Sequence, residues 1–466
     1  MNEPLKLKLF SVYGQLLNTK ILKEAWKNVK ANRGSGGIDG ETIKDFEKEE
    51  DRHIEEILQS LKDRTYKPSA VRRVYIPKKN GKMRPLGIPT IRDRIVQQAL
   101  VMRLEPFFEE KVFHDSSCGF RPGRSTELAI KKVMWNLEAG YVYIYDFDIK
   151  GYFDNIPHKK LMKVLNKYIS DGTVLDMIWK SLKAGYMEDN ILYETPKGQI
   201  QGGVASPLIA NIYLNELDWE LEKAGHRFVR YADDSIVMCR TPEELERAKK
   251  VVKETLEELG LELAEDKTDD IDFHDKDFDY LGFTFHHLRE NRKRGHETYY
   301  VAPSEKSLKK FRTDLKALTR KTFSKSFEQW RKELNPVLRG KFDYFQICNR
   351  ACKAVMEECQ KRHMPCKATA YRRYEELDAY VRQRLRVNFA NRGKRHAGIR
   401  DGKLLNVKYG NSFFHLTLQL VSGAYLAENL RRELSIEEYD AQQKAKKKRY
   451  RNDARTNRFF EYAYAR

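Results

Sequence analysis

Residues 227–239, RFVRYADDSIVMC, read as two apolar strands folded around a tight turn that carries Asp233 and Asp234. Adjacent carboxylates at a sharp turn repel unless a cation holds them. Upstream, residues 141–148, YVYIYDFD, are the clearest strand in the chain. At period two, Val142, Ile144, Asp146 and Asp148 share one face. An oxygen-rich cluster with open positions suits Mg²⁺, and two such ions about 4 Å apart can activate an attacking 3′-hydroxyl and stabilise a leaving pyrophosphate. Read alone, Asp-Asp also marks an ordinary hairpin turn and Asp148 an ordinary helix cap, so the surrounding sequence has to decide.

Working outward, residues 1–60 read as two or three helices broken by the Gly-rich loop Arg33–Gly40. Residues 71–77, VRRVYIP, have a strand composition; a hairpin-like turn over 78–81 returns the chain through 82–89. Helices are expected at 91–108, 158–169, 206–222 and 242–260, with strand and loop at 191–202 and short strands near 280–285. That order predicts an α+β fold with an antiparallel sheet. Lys78 and Arg84 flank the early hairpin, a shape that folds cationic groups over a triphosphate. Phe153 follows Asp148 closely enough to abut a nucleotide sugar. Gln201-Gly202-Gly203 before Ser206-Pro207 lets backbone approach a base pair.

The chain has 466 residues, 88 Lys+Arg against 68 Asp+Glu and a net charge of +20. The excess is not evenly spread. Residues 301–466 hold 39 basic and 18 acidic residues, or +21, whereas residues 1–300 hold 49 and 50, or −1. A near-neutral body with a cationic last third points to a polyanion, either nucleic acid or an anionic membrane surface. The 41% apolar fraction supports real cores, and two or three domains are expected. No window of ~18 apolar residues and no secretory signal are visible, so a cytoplasmic location is expected. Six cysteines are too sparse for a disulfide scaffold. Cys348, Cys352, Cys359 and Cys366 cluster without a Cys-x-x-Cys pair and read as buried thiols rather than a zinc site.

Seven ordered stretches together resemble the reverse transcriptases encoded by bacterial group II introns. They are GGIDG (36–40), MRPLGIP (83–89), GFRPGRS (119–125), DIKGYFD (148–154), QGG with SPL (201–208), YADD (231–234) and YLGF (280–283). The resemblance runs to about residue 390. It implies a right-hand polymerase with fingers and palm over 1–290, a helical thumb or maturase domain over 291–390 and a small basic region over 391–466. It implies Asp148, Asp233 and the Ile149 carbonyl as ligands of two Mg²⁺ ions (with Mn²⁺ as the substitute), with Asp234 completing the triad. Asp146 is read as a neighbouring structural carboxylate. Phe153 would be the steric gate against a ribose 2′-hydroxyl, Lys78 and Arg84 the triphosphate contacts, and Gln201 a neighbour of the incoming nucleotide. Lys267 matches a Lys that protonates the leaving pyrophosphate; otherwise it is an ordinary exposed Lys. Arg121 and Arg124 match template contacts, or else form ion pairs in the fingers.

Beyond the polymerase unit, 327–345 and 378–386 resemble the family's thumb. Arg382, Arg384 and Arg386 with Arg372 and Arg373 form a face suited to phosphate, or a solvated basic helix. Nothing after 390 matches a Cys- and His-rich endonuclease. Phe413, Phe414, Leu416, Leu418, Leu420 and Val421 suggest a small core, and Lys446, Lys447 and Lys448 with nearby aromatics an RNA contact or a disordered tail. The resemblance implies an RNA-directed DNA polymerase, a nucleotidyltransferase using template RNA, a primer or cDNA strand and dNTPs, which also binds intron RNA in splicing and retrohoming, with no membrane partner. Two other readings stay open: a host-adapted enzyme copying a structured noncoding RNA, for instance in antiviral defence, and a splicing factor without polymerisation.

Overall fold

The computed structural model describes residues 8–77, 83–288, 298–320, 325–371, 373–392, 414–415, 419–432, 435, 438–439 and 441–442. The chain divides into two compact units, Met1–Asp272 and Phe273–Arg466. Among the described residues no helix is long and apolar enough to cross a membrane.

The first unit opens with helices α1 (Val12–Leu16), α2 (Thr19–Ala31), α3 (Ile43–Lys48) and α4 (Glu50–Lys62). Strands β1 (Val71–Pro77) and β2 (Met83–Ile88) follow, then α5 (Ile91–Lys111), α6 (Thr126–Glu138), β3 (Tyr143–Phe147), α7 (Tyr152–Asn155), α8 (His158–Tyr168) and α9 (Gly172–Lys183). The unit continues through β4 (Tyr186–Glu188), β5 (Ile191–Tyr193), α10 (Ser206–Lys223), β6 (Arg227–Tyr231), β7 (Asp234–Cys239), α11 (Pro242–Leu259) and β8 (Asp269–Asp272). The expected helices and the strands at 141–148 and 227–239 are present. One sheet runs β6-β7-β3-β8 and is antiparallel throughout. A second runs β2-β1-β4-β5, in which β1 and β4 pair in parallel.

Local chemistry explains where these elements stop. In α11 the Thr241 side chain accepts from the Glu244 amide, Pro242 occupies the first turn and Gly260 closes the helix at φ 69°. α10 is enclosed through Asn215 and opens to solvent at Trp219, Glu222 and Lys223; it buries Leu208, Ile212, Tyr213, Leu217 and Leu221 but also Asn211, Asn215 and Asp218. Polar groups so enclosed must be satisfied internally.

The second unit contains β9 (Phe278–Tyr280), β10 (Phe283–Leu288), β11 (Thr298–Pro303), α12 (Glu305–Leu318), α13 (Phe327–Phe345), α14 (Ile347–Lys361), β12 (Ala368–Thr369), α15 (Tyr374–Arg392) and α16 (Gly423–Arg432). Its sheet runs β12-β11-β10-β9. The expected domain break at 290/291 falls between β10 and β11, which pair antiparallel from Phe283↔Pro303 to Leu288↔Thr298. Cys348, Cys352 and Cys359 are buried and Cys366 is half-buried.

Phe414 and Leu420 do not form a separate core. They join Phe311, Trp330, Leu334, Phe342 and Leu385 in one cluster, with Val421 packed against it. Phe413, Leu416 and Leu418 lie outside the described residues. Asp378 of α15 fixes the start of α16: its carboxylate accepts from Ser422 Oγ at 2.6 Å and from the Gly423 and Ala424 amides at 2.9 and 3.0 Å. All three donors are buried with it, so Asp378→Ala is expected to cost about 2–3 kcal/mol, measured by urea unfolding of the intact chain.

Candidate active site

The antiparallel register brings the acidic residues together. Phe147 pairs with Ser235, so the next step along β3 sets Asp148 across from Asp234. Tyr231 pairs with Asp234, leaving Ala232 and Asp233 as a two-residue turn. Ala232 sits at φ 61°, a left-handed conformation that costs a non-glycine residue about 1–2 kcal/mol. The turn therefore depends on its supports.

One support is Gly119: a Cβ there would lie 2.3 Å from the Ala232 amide nitrogen and 2.8 Å from the Tyr231 carbonyl carbon. Only hydrogen at that position lets the two backbones touch. The other is Arg230, which donates to the Ala232 carbonyl at 2.9 Å and to Asn211 Oδ1 at 2.9 Å. Its Nε and Nη2 clamp the Asp218 carboxylate at 2.7 and 2.5 Å. Asn211 closes the circuit by donating to the Gly119 carbonyl at 2.8 Å. In the sequence this network leaves one signal, an Arg set among apolar residues in a strand.

The carboxylates sit in mutually unfavourable surroundings. Burial raises the pKa of Asp233; Asp148 adds to this, while Arg84 and Lys267 oppose it. Asp234 meets solvent, yet the surrounding protein displaces part of its hydration. With the charges of Asp233 and Asp148, this pushes its pKa up to about 6. Lys267 donates to Asp148 Oδ2 at 2.5 Å, which raises the Lys267 pKa. The Lys267 segment is tied to β3's end by Ala264 N to Asp148 O at 2.8 Å and Lys150 N to Glu262 O at 2.9 Å. Ile149, between those tethers, has a buried side chain and bridges to Leu263. The site thus gathers oxygen donors short of positive charge.

Arg84, exposed on β2, is close enough for its charge to act on Asp233. The loop holding Gln201 packs on the same strand: the Gly87 amide donates to the Gln201 carbonyl at 2.7 Å, and a Cβ on Gly202 would lie 2.6 Å from the Gly87 oxygen. Phe153, half-buried, joins that loop through its carbonyl, which accepts from the Gln199 amide at 2.6 Å. Lys78 lies outside the described residues.

Arg121 points inward. Its side chain is 1% exposed and grips the Glu109 carboxylate at 2.8–3.0 Å, with further bonds to the His114 and Ser117 carbonyls. That geometry follows the ion-pair alternative and leaves little for a template strand. Arg124 is bound to Asp115 at 2.6 and 2.8 Å, with 19% of its side chain exposed.

In the second unit, the expected basic face of α15 divides. Residues two apart on a helix are turned by about 200°, so Arg384 cannot share a face with Arg382 and Arg386. Arg384 bonds Thr319 through its side chain and carbonyl at 3.2 and 3.0 Å. Arg382 meets His415 at 3.3 Å, and Arg386 lies over the Phe414 ring at 5.0 Å. Arg373 is exposed; Arg372, Lys446, Lys447 and Lys448 lie outside the described residues.

The reverse transcriptase (RNA-dependent DNA polymerase) family matches residues 76–285. Protein YkfC of Escherichia coli (strain K12) is 36% identical over 306 residues, covering 56% of this chain and 79% of that protein. The group II intron-encoded protein LtrA of Lactococcus lactis subsp. cremoris is 43% identical over 235 residues, covering 50% of this chain and 38% of LtrA. Nuclear intron maturase 1, mitochondrial, of Arabidopsis thaliana is 39% identical over 95 residues, 20% of this chain and 13% of that protein. The chain therefore matches less than half the length of LtrA.

Two outcomes follow from the geometry. A carboxyl whose pKa rises on folding favours the folded chain while protonated. That contribution is complete below about pH 4 and is lost as the pH rises through about 6. Asp234→Asn is therefore expected to raise the Tm of the metal-free protein at about pH 7.5, with the difference vanishing towards pH 4 in scanning fluorimetry. Gly119→Ala must displace the Ala232 turn, and a displacement on the order of 1 Å is expected to lower kcat about 100-fold, read by steady-state nucleotide incorporation.

Proposed function

The chain belongs to the group II intron reverse transcriptase and maturase family, and from that premise we propose that it is an RNA-directed DNA polymerase extending a primer with dNTPs along an RNA template. The observation that carries this is the convergence of Asp148, at the end of β3, with Asp233 and Asp234 at the β6–β7 turn, under the charges of Arg84 and Lys267. Asp148 adds to the raised pKa of Asp233 and of Asp234 and already holds an ammonium, so the group fits a divalent cation; oxygen-only donors suit Mg²⁺, with Mn²⁺ able to replace it. Two such ions, held by Asp148, Asp233, Asp234 and the Ile149 carbonyl, would supply positive charge for activating a 3′-hydroxyl and stabilising pyrophosphate.

In this reading the chain's own groups do the rest. Arg84, with Lys78, binds the triphosphate and orients it towards Asp233. Lys267, whose ammonium is stabilised by Asp148, holds the proton that the departing pyrophosphate oxygen takes up. Phe153, fixed from behind by its carbonyl bond to Gln199, excludes a 2′-hydroxyl, and Gln201 borders the nucleotide. Residues 1–290 act as fingers and palm, and 291–390 as a thumb that binds template–primer duplex. With the basic region from 391 to 466, the thumb also holds intron RNA during splicing and retrohoming.

Primer extension on an RNA template with dNTPs and Mg²⁺ tests the proposal. The full chain is expected to synthesise cDNA, and Asp233→Ala or Asp234→Ala to reduce synthesis to background; undiminished synthesis by either variant contradicts the site. Phe153→Ala is expected to lower discrimination against ribonucleotides by about tenfold or more, seen by comparing dNTP and NTP incorporation.

A further inference from the structure

The β6–β7 hairpin carries its catalytic turn at one end. At the other end three side chains of different chemistry converge. His226 immediately precedes β6, Cys239 ends β7, and Glu244 lies in the first turn of α11. Arg227 pairs with Met238, so one further step sets His226 directly across from Cys239. One ligand atom from each of the three residues lies within 4.8 Å of the others.

Ordinary packing leaves this cluster unsatisfied. His226 is 4% exposed and Cys239 fully enclosed. The buried His226 Nδ1 makes no hydrogen bond; the Glu244 Oε1 before it is 3.9 Å away, too far for one. Burial lowers the imidazole's pKa, Glu244 opposes that, and Arg247 adds to it, so at neutral pH the ring is uncharged and has a lone pair to give. Glu244 is held in place by its other oxygen, which accepts the Arg240 amide at 2.8 Å, and by its own amide bonded to Thr241 Oγ1 at 3.2 Å. Oε1 is left facing the histidine.

We propose that His226, Cys239 and Glu244 bind one divalent transition-metal ion of the zinc class, with water completing a tetrahedron. Nitrogen, sulfur and carboxylate oxygen are the donors such an ion takes, at about 2.0–2.3 Å. A tetrahedron of that size sets nitrogen and oxygen about 3.3 Å apart, so His226 and Glu244 need to close by only about half an ångström. The thiol proton leaves to solvent as the sulfur–metal bond forms. Burial holds the Cys239 pKa up to about 12, so occupancy rises with pH. Five residues of strand at about 3.3 Å each separate Cys239 from Asp234, roughly 17 Å, which makes the site distinct from the catalytic carboxylates. The ion would clamp both strands of the hairpin to α11.

Cobalt(II) added to the full chain is the probe. The expected result is a thiolate-to-cobalt charge-transfer band with tetrahedral visible bands at one cobalt per chain, a signature the oxygen-only catalytic carboxylates cannot give. The band is expected to vanish in Cys239→Ser and to persist in Asp234→Asn. Glu244→Gln, which keeps the helix cap, is expected to retain the band but require more cobalt to reach it. Absence of a thiolate band in the wild type overturns the assignment, as does a band that survives Cys239→Ser. Should Cys239→Ser fail to fold, a cobalt titration unchanged by Glu244→Gln overturns it as well.

Discussion

Arg230 and Asp218 form an ion pair with 1% of each side chain exposed. Taking two charges out of water is costly, and breaking such a pair by removing one partner typically costs about 3–5 kcal/mol. Here the expense has a local purpose. The guanidinium also holds the Ala232 carbonyl and Asn211, and Asn211 holds Gly119, whose bare Cα lets the GFRPG segment lie against the turn. An alanine is thereby kept in a left-handed conformation, and that conformation fixes where Asp233 and Asp234 stand relative to Asp148. The acidic site is an arrangement of backbone ends, and the buried pair holds those ends in place.

The same logic runs through the rest of the first unit. Glycines recur where two segments must touch. A Cβ on Gly37 would lie 2.6 Å from Thr90 Cα, and one on Gly202 would lie 2.6 Å from the Gly87 oxygen. Arg72 donates to the Gly36 carbonyl at 2.7 Å, and Arg94 to the Pro89 carbonyl at 3.0 Å. The GGIDG, RPLGIP and QGG stretches are thus parts of one packed assembly around β2, the strand that carries Arg84.

Much of the fold and site was legible because it rests on short-range rules. Period-two alternation placed Asp148 at a strand end, and the tight Asp-Asp turn placed its partners. What escaped the sequence depends on distant partners. Nothing local to Arg121 reveals Glu109 waiting at the end of α5, so the same residue reads equally as a phosphate contact or a buried anchor. Arg382, Arg384 and Arg386 look like one basic stripe in a string, but helical rotation sends the middle one to the opposite side. β4, three residues long and paired in parallel with β1, has too little pattern to announce itself. The apolar run near 414–421 promised a separate core because sequence does not show that Trp330 and Phe342 are there to receive it.

The buried pair positions the turn that carries Asp233 and Asp234. Steady-state primer extension on RNA by Arg230→Lys, at a temperature where circular dichroism shows it folded, tests this most directly. Lysine keeps the charge but cannot clamp Asp218 and reach the Ala232 carbonyl together. The expected result is a kcat lower by about 100-fold with the KM for dNTP little changed. A folded Arg230→Lys protein with wild-type kcat would contradict it.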